Sequence, residues 1–191
     1  KKINSQSFID YCINLFSLNL DELDTKLSGK FIDSFSGHSL FGKVLNKFYL
    51  DNIYKKYLDI ISFMKNNPLY IDFVIYKSRG GYSREIHTDN RHKLLLFTFY
   101  LSSKLENNEG GEFEIYEHLH PPKLAINYER FPAYDKLKRV KTILPDDNVG
   151  LILLNTNNSY HAVSKVKNSD NYNRNTCYIS IAAKKKIWKG Q

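Results

Sequence analysis

"EIHTDNRHKLLLFTFYLS" occupies residues 85–102. Its second half, "HKLLLFTFYLS" (92–102), is apolar and aromatic from Leu94 to Leu101 but for Thr98. It is far shorter than the roughly 20 residues a membrane helix needs, and it reads as a buried central strand. Its first half places His87 and Asp89 two residues apart. On a strand over 82–89, side chains at i and i+2 share a face. An imidazole and a carboxylate would then project together at the lip of the core.

The surrounding texture agrees with a β domain. Runs at 69–77, 110–117, 138–145, 149–155, 160–166 and 175–183 alternate or carry β-branched and aromatic residues, with turn signals between them. With 82–89 and 92–102 they make about eight short strands, the number expected of a sandwich or barrel. Upstream, "SQSFIDYCINLFSL" and "DNIYKKYLDIISFMKN" have apolar residues at spacings of three and four, which predicts two helices. Ser5 or Ser7 would cap the first and Asp51 the second. The 191 residues suit one domain. It would comprise a helical support layer at 1–67, a β core at 68–183 and a basic tail at 184–191. The longest irregular stretch, 118–136, has the length of a lid or binding loop.

Composition narrows the class. Hydrophobic residues make up 42% and charged residues 25%, a globular rather than disordered balance. The opening residues "KKINSQSFID" lack the apolar segment of a signal peptide. Cys12 and Cys177 lie far apart and outside any CxxC pattern. Both read as small buried apolar residues, and a reducing cytoplasm is the expected compartment. The net charge of +8 is dispersed, with one dense run at Lys184–Lys186. Nucleic acid is therefore not the expected partner, since a footprint would cluster on one face.

An HxD pair needs a third ligand before it signifies a metal. His161, in "NSYHAVSKV", opens a late strand. Two histidines and a carboxylate form a facial triad that suits Fe(II) and leaves coordination positions open; zinc accepts the same ligands. Arg174 begins "RNTCYISI". If 160–166 and 175–183 are neighbouring strands, its guanidinium can enter the same cavity, where it would need an anionic partner. "HLHPP" at 118–122 offers a second histidine pair, but no carboxylate at matching spacing, so a loop role is expected there.

Together, "HTD" at 87–89, "FYLS" at 99–102, "GGEFEIY" at 110–116, "YHAV" at 160–163 and "RNTCYISI" at 174–181 resemble the catalytic core of the Fe(II)/2-oxoglutarate-dependent dioxygenases. The nearest branch is the prolyl-hydroxylase-like one. The resemblance spans 76–183 and implies a double-stranded β-helix, a jelly-roll or cupin-like barrel with helices packed on one sheet. It implies Fe(II), with 2-oxoglutarate and O2 as co-substrates. His87, Asp89 and His161 match the iron ligands. Arg174 matches the basic residue that pairs with the distal carboxylate of 2-oxoglutarate, with Lys165 and Lys167 as alternatives because the gap after His161 is long. Tyr100 and Tyr76 match tyrosines near that co-substrate; Tyr76 reads equally well as a core aromatic. An intact Asp89 points to hydroxylation rather than halogenation.

The substrate is not legible in the sequence. Tyr82, Arg84, Arg91, Tyr128 and Arg130 are the candidate contacts. A peptidyl proline, an amino acid, a sugar or a natural product all fit. The competing readings are an oxidative nucleic-acid demethylase and a catalytically inactive cupin-like binding protein.

Overall fold

In a computed structural model the residues described are 5–17, 69–102, 110–120, 129–167, 173–183 and 185–188. They form one helix, α1 (Gln6–Leu15), and eight strands: β1 (Tyr70–Arg79), β2 (Arg84–His87), β3 (Lys93–Ser102), β4 (Phe113–His118), β5 (Leu137–Ile143), β6 (Gly150–Leu154), β7 (Tyr160–Val163) and β8 (Asn173–Ala182). The helix expected over "DNIYKKYLDIISFMKN" lies outside the described residues.

The strands make two four-stranded sheets, ordered β1-β8-β3-β6 and β2-β7-β4-β5. Successive strands alternate between the sheets except at β4–β5, which pair as antiparallel neighbours. This is the jelly-roll order of a double-stranded β-helix. It decides the condition set above for Arg174. β7 and β8 are not neighbours: β7 lies in the second sheet and β8 in the first. The jelly-roll winding sends consecutive strands to different sheets, so adjacency in sequence does not make them partners.

The apolar run at 92–102 holds the central place its composition demands. Leu94, Leu95, Leu96 and Phe97 are all buried, and β3 has a partner strand on each side. At the other extreme, β5 is an edge strand reading "LKRVKTI" with its middle exposed. Lysine and arginine on an edge discourage pairing with another chain.

The chain divides into two compact units, 1–73, 92–94 and 180–189 forming one and 74–91, 95–179 and 190–191 the other. In the first, the side chain of Ser5 caps α1 by accepting from the backbone N–H of Phe8 at 3.3 Å, and Ile9 and Cys12 are buried. The same unit pins the end of the chain. Ala183 N–H donates to the His92 carbonyl at 2.8 Å, and Trp188 Nε1 donates to the Lys93 carbonyl at 2.8 Å. Ile187, within the stretch expected to be a basic tail, is wholly buried. Among the described residues no helix is long and apolar enough to cross a membrane.

Candidate metal centre and co-substrate pocket

The described candidate side chains lie in the second unit. β2 and β7 pair antiparallel with His87 opposite His161, so both rings leave the same face of the sheet. Their centroids are 4.5 Å apart. Asp89 follows two residues later, but not on a strand, because β2 ends at His87. The backbone turns away as Thr88 N–H donates to the Arg130 carbonyl at 3.0 Å. The carboxylate is brought back by Tyr178, whose hydroxyl donates to Asp89 Oδ2 at 3.0 Å. One ligand atom from each of His87, Asp89 and His161 lies within 4.8 Å of the others, and all three residues are buried. It is the one such group among the described residues.

The histidines are set in one tautomer. His87 Nδ1 donates to the Glu85 carbonyl at 2.7 Å, and His161 Nδ1 donates to the Ser159 carbonyl at 3.0 Å. A carbonyl oxygen only accepts, so each Nδ1 carries the proton and each Nε2 keeps a lone pair. Burial, followed by the neighbouring His161, pushes His87 from 6.5 down to about 4. The Glu85 carbonyl and Asp89 oppose that shift without reversing it. His87 is therefore neutral at physiological pH, the form that binds a metal. Phe113 stacks on His161 at 5.3 Å, and Phe131 stacks on His87 at 6.1 Å, which fixes both rings from outside.

Arg174 opens the inner face of β8 and is 3% exposed. Its Nη1 donates to the Gly111 carbonyl at 2.6 Å, and its Cζ lies 5.5 Å from the Tyr82 ring and 5.4 Å from the Tyr100 ring. Nε is buried without a hydrogen-bond partner. A buried cation left in that state is costly, so the arrangement fits an anionic ligand. Thr176 and Tyr178 follow at the strand period, and Thr176 Oγ1 is also buried and unpartnered. Arg174, Thr176 and Tyr178 thus form a polar ladder that ends on Asp89.

The glycine pair ties this ladder to β7. Gly111 N–H donates to the Ser164 carbonyl, and Ser164 N–H to the Glu112 carbonyl. The Ser164 hydroxyl donates to the Glu112 carboxylate. Gly110 has φ +86, and a Cβ there would sit 2.0 Å from the Lys165 carbonyl oxygen, so only glycine fits.

The remaining expected contacts are spread out. Tyr82 flanks Arg174. Tyr76 is half-exposed and meets the Tyr178 ring edge-on at 6.0 Å. Arg130 Nε donates to the Thr88 carbonyl at 3.3 Å. Arg84 lines a groove of about 440 Å³ with Glu114, Tyr116, Phe131 and Tyr134. That groove lies on the opposite face of the second sheet, since Glu114 pairs with Ala162 while Ile115 pairs with His161. Arg91 is half-buried before β3, and Tyr128 lies outside the described residues. Lys165 and Lys167 are exposed. His118 accepts from the His120 backbone N–H at 3.1 Å. The sequence reading missed Thr176 and Tyr178. Their signal was the period-two phase set by Arg174.

A double-stranded β-helix with a buried two-histidine, one-carboxylate group is the scaffold of a mononuclear metal enzyme. The family model of the 2OG-Fe(II) oxygenase superfamily matches residues 71–179, more than half of the chain, and the protein belongs to that superfamily. Its members use Fe(II), 2-oxoglutarate and O2. Similar solved structures include a prolyl 4-hydroxylase from Phytophthora capsici (16% identity, TM-score 0.41, covering 60% of this chain and 32% of that one). Another is a Trichoplax adhaerens prolyl hydroxylase in complex with a hypoxia-inducible-factor peptide (15%, 0.39, 69% and 54%). A third is HygX from Streptomyces hygroscopicus with nickel and 2-oxoglutarate bound (12%, 0.37, 78% and 69%). The chain spans about a third to a half of the length of the two prolyl hydroxylases. No curated protein matches it.

Proposed function

We propose that the protein is an Fe(II)- and 2-oxoglutarate-dependent hydroxylase acting on a C–H bond of a peptide or small molecule. The observation that carries the reading is a pairing of two elements, joined along β8 by the Tyr178–Asp89 hydrogen bond. One is a buried group of His87, His161 and Asp89; the other is a buried Arg174 with an unpartnered Nε. His87 and His161 would hold the metal through Nε2, and Asp89 would offset part of its charge. When bound, iron and 2-oxoglutarate supply O2 activation coupled to decarboxylation to succinate and CO2.

The chain's own residues do the rest. Arg174 would engage the distal carboxylate of 2-oxoglutarate through the Nε that the protein leaves free, with Tyr100 and Thr176 beside it. Tyr82 and Tyr100 flank the guanidinium and would hold its orientation. Tyr178 holds Asp89 Oδ2, which leaves Oδ1 facing His87 Nε2 at 3.8 Å. Candidate substrates are a peptidyl proline, a free amino acid, a sugar or a natural product.

Anaerobic addition of Fe(II) and then 2-oxoglutarate tests the reading. A weak visible charge-transfer band, followed in air by succinate formation stimulated by a substrate, is the expected result. Absence of any band in protein that binds the metal would refute it in favour of a metal-binding module without turnover.

A further inference from the structure

Three consecutive residues on the return path from β4 to β5 touch the candidate ligand His87 or residues adjoining the ligands in the chain. The Glu129 carbonyl accepts from the Tyr160 hydroxyl at 3.1 Å, and Tyr160 immediately precedes His161. Arg130 meets Thr88 twice. Its carbonyl accepts the Thr88 N–H at 3.0 Å, and its Nε donates to the Thr88 carbonyl at 3.3 Å. Thr88 is wholly buried between His87 and Asp89. Phe131 stacks on the His87 ring with the planes 22° apart, and the Arg130 guanidinium lies 5.2 Å over the same Phe131 ring.

The sheet alone leaves this end of β2 loosely specified. The β2–β7 register shifts between Arg84 and His87, and a bulge weakens the local ladder. Asp89 lies beyond the last strand residue. The 129–131 stretch supplies the missing constraint, taking up both backbone groups of Thr88 and reaching across to the residue beside His161. We infer that Glu129–Phe131 is a clamp that sets the relative placement of His87, Asp89 and His161, with Arg130 and Tyr160 as its positioning residues. The inference rests on reading those three residues as metal ligands. It also gives Arg130 a task other than meeting substrate. Because binding energies are reciprocal, a metal that needs the clamped geometry also steadies the clamp.

The test is Co(II) titration of the intact protein, followed by absorbance, for the wild type, Arg130→Ala, Tyr160→Phe and the double variant. Tyr160→Phe deletes one oxygen and keeps the ring, so it probes the clamp even where Arg130→Ala weakens the fold. Each single variant is expected to bind Co(II) roughly tenfold more weakly, at the low end for outer partners of metal ligands. Its ligand-field bands should shift, which a loss of global stability alone would not produce. The double variant should lose less than the product of the two, since both act through one stretch of chain. Binding as tight as the wild type, with unchanged bands, in both single variants while His87→Ala has lost Co(II) overturns the clamp alone. Undiminished Co(II) binding by His87→Ala overturns the ligand reading, and the clamp with it.

Discussion

The hydroxyl of Tyr178 donates to Oδ2 of Asp89 across 3.0 Å, while Oδ1 of the same carboxylate faces His87 Nε2 at 3.8 Å. The two oxygens are thereby distinguished before any ion arrives. Tyr178→Phe removes that hydrogen bond and keeps the ring. Outer partners of metal ligands are worth roughly 10–100-fold in metal affinity, and a loss near the lower figure is expected. Titration with Fe(II) under anaerobic conditions measures it, and unchanged affinity would show that Asp89 is oriented by other contacts.

Arg174→Ala should separate co-substrate from metal. Truncating one partner of a buried charge pair costs about 2–5 kcal/mol, and about 1.4 kcal/mol is a decade. The apparent constant for 2-oxoglutarate should rise well over tenfold, while metal content stays near that of the wild type. An unchanged constant would leave Arg174 as a structural brace on the Gly111 carbonyl.

Strand existence was legible in the sequence because alternation and β-branching are local properties, and each of the eight segments became a strand. Partnership was not. Whether β7 and β8 lie side by side stands only as a condition in the sequence reading, and the order β1-β8-β3-β6 gives β8 to the other sheet. The route by which Arg174 would join His161 was tied to those strands touching; Arg174 comes from the other sheet, reaching the Gly111 carbonyl. Asp89 shows a similar limit. The HxD spacing reads as one strand face, but the bond from Thr88 to Arg130, 42 residues away, ends the strand first. Thr176 and Tyr178 were hidden inside "NTCYISIAA" because an apolar run masks the polar phase within it. Counting by twos from Arg174 recovers both.

Gly110→Ala tests the junction between the glycine pair and β7. The added Cβ would fall 2.0 Å from the Lys165 carbonyl oxygen, with φ at +86. Backbone cannot yield as a flexible side chain can, and an unfavourable φ adds of order 1–3 kcal/mol. The variant should lose at least about 2 kcal/mol of stability to urea. It should also weaken 2-oxoglutarate binding, since Gly111 carries the carbonyl that holds Arg174. Wild-type urea stability would mean the loop relaxes freely around the new methyl group.

The metal-free protein should lose stability as the pH falls from about 6.5 to about 4, with His87 as a source. Its value of 6.5 drops to about 4 in the fold. The cause is first burial, then the charge of His161; Arg84 adds in the same direction, while the Glu85 carbonyl and Asp89 pull the other way. The sign follows from proton counting. Between the two values the unfolded chain binds a proton that the folded chain refuses, so protonation favours unfolding. Above 6.5 neither state binds it, and below 4 both do, so the dependence is confined to that window. A full proton difference corresponds to about 1.4 kcal/mol per pH unit. Urea midpoints from pH 4 to 8 measure the slope, and His87→Asn should flatten it between pH 4 and 6.5. An equal slope in that variant would assign the acid sensitivity to other groups.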